Sequence, residues 1–231
     1  MALLLSIDTS TRGCSVALHQ QGQLISNYHL LTDKSSSAML TTLIQNVVSE
    51  AGFSLAQLEG IAVAKGPGSY TGLRIGVSTA KGLCYALDKP LVAVNTLQAM
   101  TLQVKVFFDK DFLFCPMLDA RRMEVYCAIF DNDLEYVAPT QATILEKTTF
   151  ASWLDRGPVV FFGDGAAKAQ PIFAHSPNAR FIPTLIAPSA ATVGQLAYEL
   201  YRQQQFEEVA TFEPFYLKDF VGTVSKKLKI L

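Results

Sequence analysis

Four cysteines, at positions 14, 84, 115 and 127, form no C-x-x-C pair and no Cys/His ligand spacing, which excludes a disulfide framework and a sequence-defined zinc site. They read as small buried hydrophobes in a reducing cytosol. Only three histidines occur: His19 and His29 fall in a hairpin, His175 in a Pro-rich connector, and all three read as hairpin or surface residues rather than ligands. No apolar run approaches the roughly 20 residues needed to span a bilayer. Met1 to Leu5 is followed at once by polar Ser6, Asp8, Thr9 and Ser10, so no targeting segment and a cytoplasmic location are expected. Neither sign of charge is in excess. With 19 Lys+Arg against 20 Asp+Glu the net charge is −1, so any nucleic-acid contact made by the chain alone should be weak. The cluster Lys226, Lys227 and Lys229 is a small exception that reads as solvated tail. There is no internal repeat, and low complexity is confined to tracts such as Ser35 to Ser37 and Gln203 to Gln205.

What is present is a hydrophobic fraction of 50% over 231 residues, enough to bury one large core or two small ones. Apolar runs predict strands near Leu3 to Asp8, Ser15 to Gln20 and Leu24 to Leu31, with Gln21-Gly22 as the hairpin turn. A helix from about Ser37 to Ala51 follows, capped by serines and ended at Gly52. Next come a strand Gly60 to Lys65, a helix Thr71 to Leu87, a strand Pro90 to Val94 and a helical stretch Leu97 to Val106. This alternation gives an α/β class. A polar step at Asp109 to Asp111 opens a second region. There, Phe112 to Leu118 and Glu124 to Phe130 read as paired strands and Pro158 to Phe162 as another, with a Pro-rich connector Pro171 to Pro188 and a helix Ala190 to Gln204. The expected organisation is an N-terminal domain 1–108, a smaller C-terminal α/β domain 109–212, and a tail 213–231. The last helix is placed to pack across both halves.

The string Gly66 to Gly76, G-P-G-S-Y-T-G-L-R-I-G, carries the most chemistry. It joins a buried strand to a helix. Its glycines and proline permit a tight turn whose free N–H groups face a helix N-terminus, a phosphate cradle. They equally permit close packing of helix on sheet. Neither phosphate fingerprint is met, since Leu73 and Arg74 follow Gly72 where a Walker loop needs Lys-Ser/Thr. Asp8-Thr9-Ser10-Thr11 ends the first strand, either as an Asx or hydroxyl turn or as a carboxylate and hydroxyl set near phosphate and magnesium. Ser69 is no nucleophile elbow, because Pro67 stands where the first glycine is required. The first helix shows an apolar stripe of Leu40, Leu43, Ile44, Val47, Val48 and Ala51. The second shows Leu73, Ile75, Val77, Leu83, Cys84 and Leu87 among Gly76, Ala80 and Gly82. Both read as fully satisfied inside the domain or as reaching a partner. Arg74 opposes the helix dipole in the first turn, which suits either a nearby anion or plain solvation.

The Gly66 to Gly76 string, the opening L-L-S-I-D-T-S-T followed by S-V-A-L, and Pro214, Tyr216 and Leu217 of a P-x-Y-L tail resemble the bacterial TsaB proteins, formerly YeaZ. The resemblance implies two ribonuclease-H-like halves of the actin, sugar kinase and Hsp70 superfamily, the second reduced. It implies a noncatalytic partner of TsaD in making N6-threonylcarbamoyladenosine in tRNA, where TsaC forms threonylcarbamoyl-adenylate, TsaD transfers the group and TsaE supplies an ATPase step. Pairing with TsaD, and with itself when alone, is implied through the first two helices, with Leu40, Leu43, Ile44, Val47, Arg74, Val77 and Leu83 at the interface. Candidate phosphate or nucleotide contacts are Asp8, Thr9, Ser10, Gly66, Gly68, Ser69, Thr71 and Gly72. The counterpart of a second phosphate loop is only Gly163-Asp164-Gly165, and no Gly-Gly adenosine signature follows, so autonomous ATP hydrolysis is not expected. TsaD carries two histidines four apart on its first helix, whereas Ser37 to Ala51 has none, so no metal is expected here and ATP and metal belong to the partner subunits. tRNA is expected only through the complex, and no membrane. The family's His-Ser-Glu is replaced by Ser36, Ser37 and Ala38, and Thr42 stands for its proline. A small-molecule kinase or phosphotransferase of the superfamily, and a TsaD-like metallopeptidase, are the alternatives.

Overall fold

A computed structural model describes residues 2–31 and 36–218. The lysine cluster at 226–229 lies outside them, as do the side chains of Ser36, Ser37 and Ala38.

The first sheet has the order β3-β2-β1-β4-β5. Strand β1 (Leu3–Asp8) is buried along its whole length because it sits mid-sheet with both faces covered, so its sequence is apolar rather than alternating. Strands β2 (Cys14–Gln20) and β3 (Gln23–Leu30) pair antiparallel through a turn in which Gln21 and Gly22 both take positive φ, 51° and 79°. Strands β4 (Gly60–Gly66) and β5 (Leu91–Asn95) add in parallel. One face packs against α1 (Ser36–Ser49) and α2 (Tyr70–Leu87): Leu3, Leu5, Ile7, Val16, Leu18, Ile61 and Val63 meet Leu40, Ile44, Val47, Val77 and Ala80. The other face offers Ala62, Ala64, Val92 and Val94 to α3 (Thr96–Val104) and α6 (Ala190–Arg202).

The second sheet, β10-β9-β6-β7-β8, repeats the same topology without any sequence repeat. Strands β6 (Leu113–Asp119), β7 (Glu124–Phe130) and β8 (Tyr136–Ile144) run antiparallel, and β9 (Val159–Phe162) and β10 (Ala179–Phe181) join in parallel. Helices α4 (Ala151–Leu154) and α5 (Ala166–Phe173) cover one face through Leu154, Ala169 and Phe173. The two halves are those of an α/β, ribonuclease-H-like duplication. The span Pro171 to Pro188 is not mere connector, since it holds the end of α5 and all of β10.

The expected boundary at 108/109 is corrected by how the helices are shared. Leu97, Met100 and Val104 of α3 cover the inner face of the second sheet, against Phe114, Phe130, Val160 and Phe162. Conversely α6, assigned by sequence to the second half, lies on the first sheet. Its Ala190 N–H donates to Ser15 Oγ (2.8 Å), and His19 Nε2 donates to Ala191 O (2.9 Å). His19 is therefore a fully buried hairpin residue, not a surface one. Gly194 permits this approach, because a Cβ there would lie 2.1 Å from the His19 ring.

Candidate functional site

The two halves meet at a cleft of about 980 Å³. Its floor on the first half is the β1–β2 turn and the loop entering α2. Asp8 Oδ1 accepts from Ser10 N (2.9 Å) and Ser10 Oγ (2.7 Å), closing an Asx turn, while Asp8 Oδ2 has no partner. Burial of this carboxyl outweighs the two Ser10 bonds and raises its pKa from 3.8 to about 6. Thr9 Oγ1 donates to Gly72 O (2.7 Å) and Ser69 N donates to Ser10 O (2.6 Å).

These bonds draw α2 onto the turn, and the glycines make the distance possible. A Cβ at Gly68 would stand 2.2 Å from Ser10 O, at Gly72 2.0 Å from Thr9 O, and at Gly76 2.3 Å from Thr9 Oγ1. Gly66, at φ 113°, has Phe215 O 2.9 Å from its Cβ position. Close packing thus accounts for these four glycines. Ser69 caps α2 by accepting from Gly72 N (3.3 Å), so two amides of the loop are already bonded within the chain. Of the expected phosphate contacts, Ser10, Gly68, Ser69 and Thr71 line the cleft; Asp8, Thr9, Gly66 and Gly72 lie behind that wall.

The opposite wall comes from the β6–β7 turn, which sequence reasoning passed over as a gap between two strands. The available signal was Asp119-Ala120-Arg121-Arg122, an acid and two arginines between apolar runs. Asp119 N donates to Asp164 Oδ1 (2.9 Å), and Arg121 N donates to Asp119 Oδ1 (2.7 Å). Lys168 Nζ pairs with Asp119 Oδ1 at 2.6 Å. Partial burial raises Asp119, but the Lys168 bond, the Arg121 N–H and the charges of Lys168 and Arg12 leave its pKa below the usual value. Burial pushes Asp164 up. Asp164 of the Gly163-Asp164-Gly165 loop therefore serves as a brace for the neighbouring turn.

The segment Phe215 to Lys218 forms the third wall. Phe215 N donates to Lys65 O (2.7 Å), and Tyr216 packs on Tyr70 with ring centroids 4.8 Å apart. Lys218 pairs with Glu124 of the second half. Arg74 lies 5.6 Å over the Tyr70 ring, exposed on α2.

The expected partner-facing side chains are corrected in part. Leu40, Leu43, Ile44, Val47 and Val77 are at most 4% exposed, all within the chain's own core, so they present nothing to a partner. Leu83 is half-buried. The outer stripe of α2 is Arg74, Ser78, Gly82 and Tyr85, the last 89% exposed, and Thr41, Gln45 and Ser49 are exposed on α1.

The family model for TsaD, tRNA N6-adenosine threonylcarbamoyltransferase, matches residues 30–223. The tRNA threonylcarbamoyladenosine biosynthesis protein TsaB of Bacillus subtilis is 35% identical over 168 residues, 69% of this chain and 70% of that protein. TsaB of Escherichia coli is 27% identical over 95% of this chain and 96% of its own length. The solved structure of YeaZ from Pseudomonas aeruginosa superposes with a TM-score of 0.80 at 26% identity, covering 94% of this chain and all of that one. The duplicated sheet and these matches agree, and the chain belongs to the TsaB family, formerly YeaZ, within the wider TsaD family.

Proposed function

We propose that this chain is a noncatalytic, cytoplasmic subunit that holds TsaD in a competent arrangement for threonylcarbamoyl transfer to adenosine in tRNA. The observation that carries this reading is the glycine-rich loop. Where a kinase of this fold would leave room for a phosphate, Gly68, Gly72 and Gly76 admit the chain's own Ser10 and Thr9, and loop amides bond within the chain. The end-to-end match to a relative named for threonylcarbamoyladenosine biosynthesis supplies the pathway. A superfamily kinase is disfavoured by the same filled loop. ATP and metal then reside in the partner subunits, with TsaE joining the assembly and tRNA recruited by it.

Pairing with TsaD, or with a second copy when TsaD is absent, uses the outer stripe of α1 and α2. Gly82 has open space around its Cβ position and sits between Ser78 and Tyr85, so another helix can approach closely there. Gly82→Glu places a charge in that contact without touching the core. It should abolish co-elution with TsaD in gel filtration while circular dichroism is unchanged. Retained tight binding by Gly82→Glu and Tyr85→Glu would refute this pairing face.

A further inference from the structure

On the outer stripe of α2, Ser78, Gly82 and Tyr85 are uncharged and Arg74 is the one formal charge. Arg74 is exposed, and among the described residues it makes no ion pair. A helix that packs along this stripe must cover it. Covering a guanidinium without a counter-ion strands a charge in a desolvated contact, which is costly, so a partner that fits here has to bring an anion.

The guanidinium has a fixed mounting. It lies 5.6 Å over the Tyr70 ring, which in turn packs on Tyr216 with ring centroids 4.8 Å apart. Contact with a ring leaves the N–H donors of arginine for a carboxylate, which they meet in a bidentate fork. Tyr216 is held by the segment that carries it. Lys81 Nζ donates to Ala210 O (3.1 Å) and Phe212 O (2.9 Å), Glu207 N donates to Leu91 O (2.9 Å), and Phe215 N donates to Lys65 O (2.7 Å). This strap runs beside α2 and leaves a groove of about 360 Å³ between them, into which Arg74, Ser78, Lys81 and Glu213 all look. Lys81 is engaged by the two carbonyls, and Glu213 forms an ion pair with neither cation. Arg74 and Ser78 belong to the groove and to the outer stripe at once, so the groove is continuous with the pairing face.

We propose that this groove receives a carboxylate, an Asp or Glu side chain on the TsaD helix that packs against α2, with Arg74 as its receptor. The inference rests on the pairing face proposed above. Arg74 and Gly82 are eight residues apart in one helix. That is about 12 Å, so the acidic residue stands about two turns along the partner helix from the point that meets Gly82.

The test is the affinity of the full chain for TsaD by isothermal titration calorimetry over a range of salt, in buffer free of nucleotide and phosphate. Arg74→Gln should weaken binding about ten- to a hundredfold and flatten its salt dependence; Arg74→Glu should weaken it further, and Arg74→Lys should fall between the parent and Arg74→Gln. Glu213→Gln should leave binding unchanged or tighten it. Arg156→Gln, a control on the Trp153 ring in the second half, should bind as the parent does. Circular dichroism should be unchanged in each variant. In the Arg74→Lys complex a carbodiimide should join the introduced amine to an Asp or Glu of TsaD, located by mass spectrometry.

The proposal is overturned if Arg74→Gln and Arg74→Glu bind like the parent, if Arg156→Gln loses as much, or if no TsaD carboxylate is joined to position 74. It is also overturned if the loss in Arg74→Gln appears only when ATP or phosphate is added, which would mark a receptor for a free anion. Gly82→Glu separates the receptor from the face. Loss of binding by Gly82→Glu with none by Arg74→Glu would sink the receptor and keep the face, whereas binding untouched by both would sink the two together. Modification assays with and without the chain report separately on the proposed function. Arg74-dependent binding of TsaD with no effect on modification would sink that function and leave the receptor standing.

Discussion

Replacing Asp8 with asparagine isolates one buried charge. The folded chain holds Asp8 with a pKa near 6 against 3.8 for the exposed group, chiefly through burial. Because the folded pKa is raised, the stabilising state is the protonated one. Its contribution is complete below the unfolded pKa and is lost as pH rises through the folded pKa. A shift of that size corresponds to about 3 kcal/mol, most of which falls between pH 4 and pH 8. Asparagine keeps the Oδ1 acceptor for the Ser10 N–H and hydroxyl and puts an NH2 where Oδ2 has no partner. That amide costs about 1–3 kcal/mol at every pH, so the net change at one pH is ambiguous while the pH dependence is not. The assay is urea unfolding of parent and Asp8→Asn across that range. Their stability difference should swing toward the variant by about 2–3 kcal/mol on going from pH 4 to pH 8, or about 5–10 °C in Tm for a chain of this size. Parallel pH curves would refute the assignment of a buried, uncompensated carboxyl.

Three further outcomes follow from packing. Gly72→Ala, whose Cβ would lie 2.0 Å from Thr9 O, should cost about 3 kcal/mol or more, whereas Gly82→Ala in open space should stabilise by about 0.5–1 kcal/mol; chemical denaturation compares them. His19 is held below its usual pKa by burial, so its contribution is present above the unfolded value and lost as pH falls; His19→Gln should lessen the loss of stability on acidification below pH 6, read by thermal melts. Residues 1–108 expressed alone should fail to fold, because the face of Ala62, Ala64, Val92 and Val94 loses α6, and adding back 189–212 through a linker should restore cooperative unfolding by circular dichroism.

The legible parts of the chain were those governed by local rules. The hairpin at Gln21-Gly22, the helix expected over Thr71 to Leu87 and the strand Glu124–Phe130 each follow from turn chemistry or apolar patterning within a few residues. Proline obscured two elements. Pro139 sits in β8, which is an edge strand and tolerates the missing donor, and Pro171 lies within the short helix α5. The exchange of α3 and α6 between the sheets left no periodic trace, since an amphipathic helix does not encode which sheet it covers. The same ambiguity misassigned Leu43 and Val77: an apolar stripe identifies a buried face but not whether the chain's own core or a partner buries it. The cleft's second wall was hidden because Arg121 and Arg122 acquire meaning only when the fold sets them opposite Ser10 and Gly68.

The most direct test of the central claim is reconstitution of tRNA threonylcarbamoylation with matched TsaC, TsaD and TsaE, following labelled threonine into tRNA with and without this chain. The account predicts modification only when the chain is present, and none when TsaD is left out. Full modification in the absence of the chain, or modification by the chain without TsaD, would contradict it.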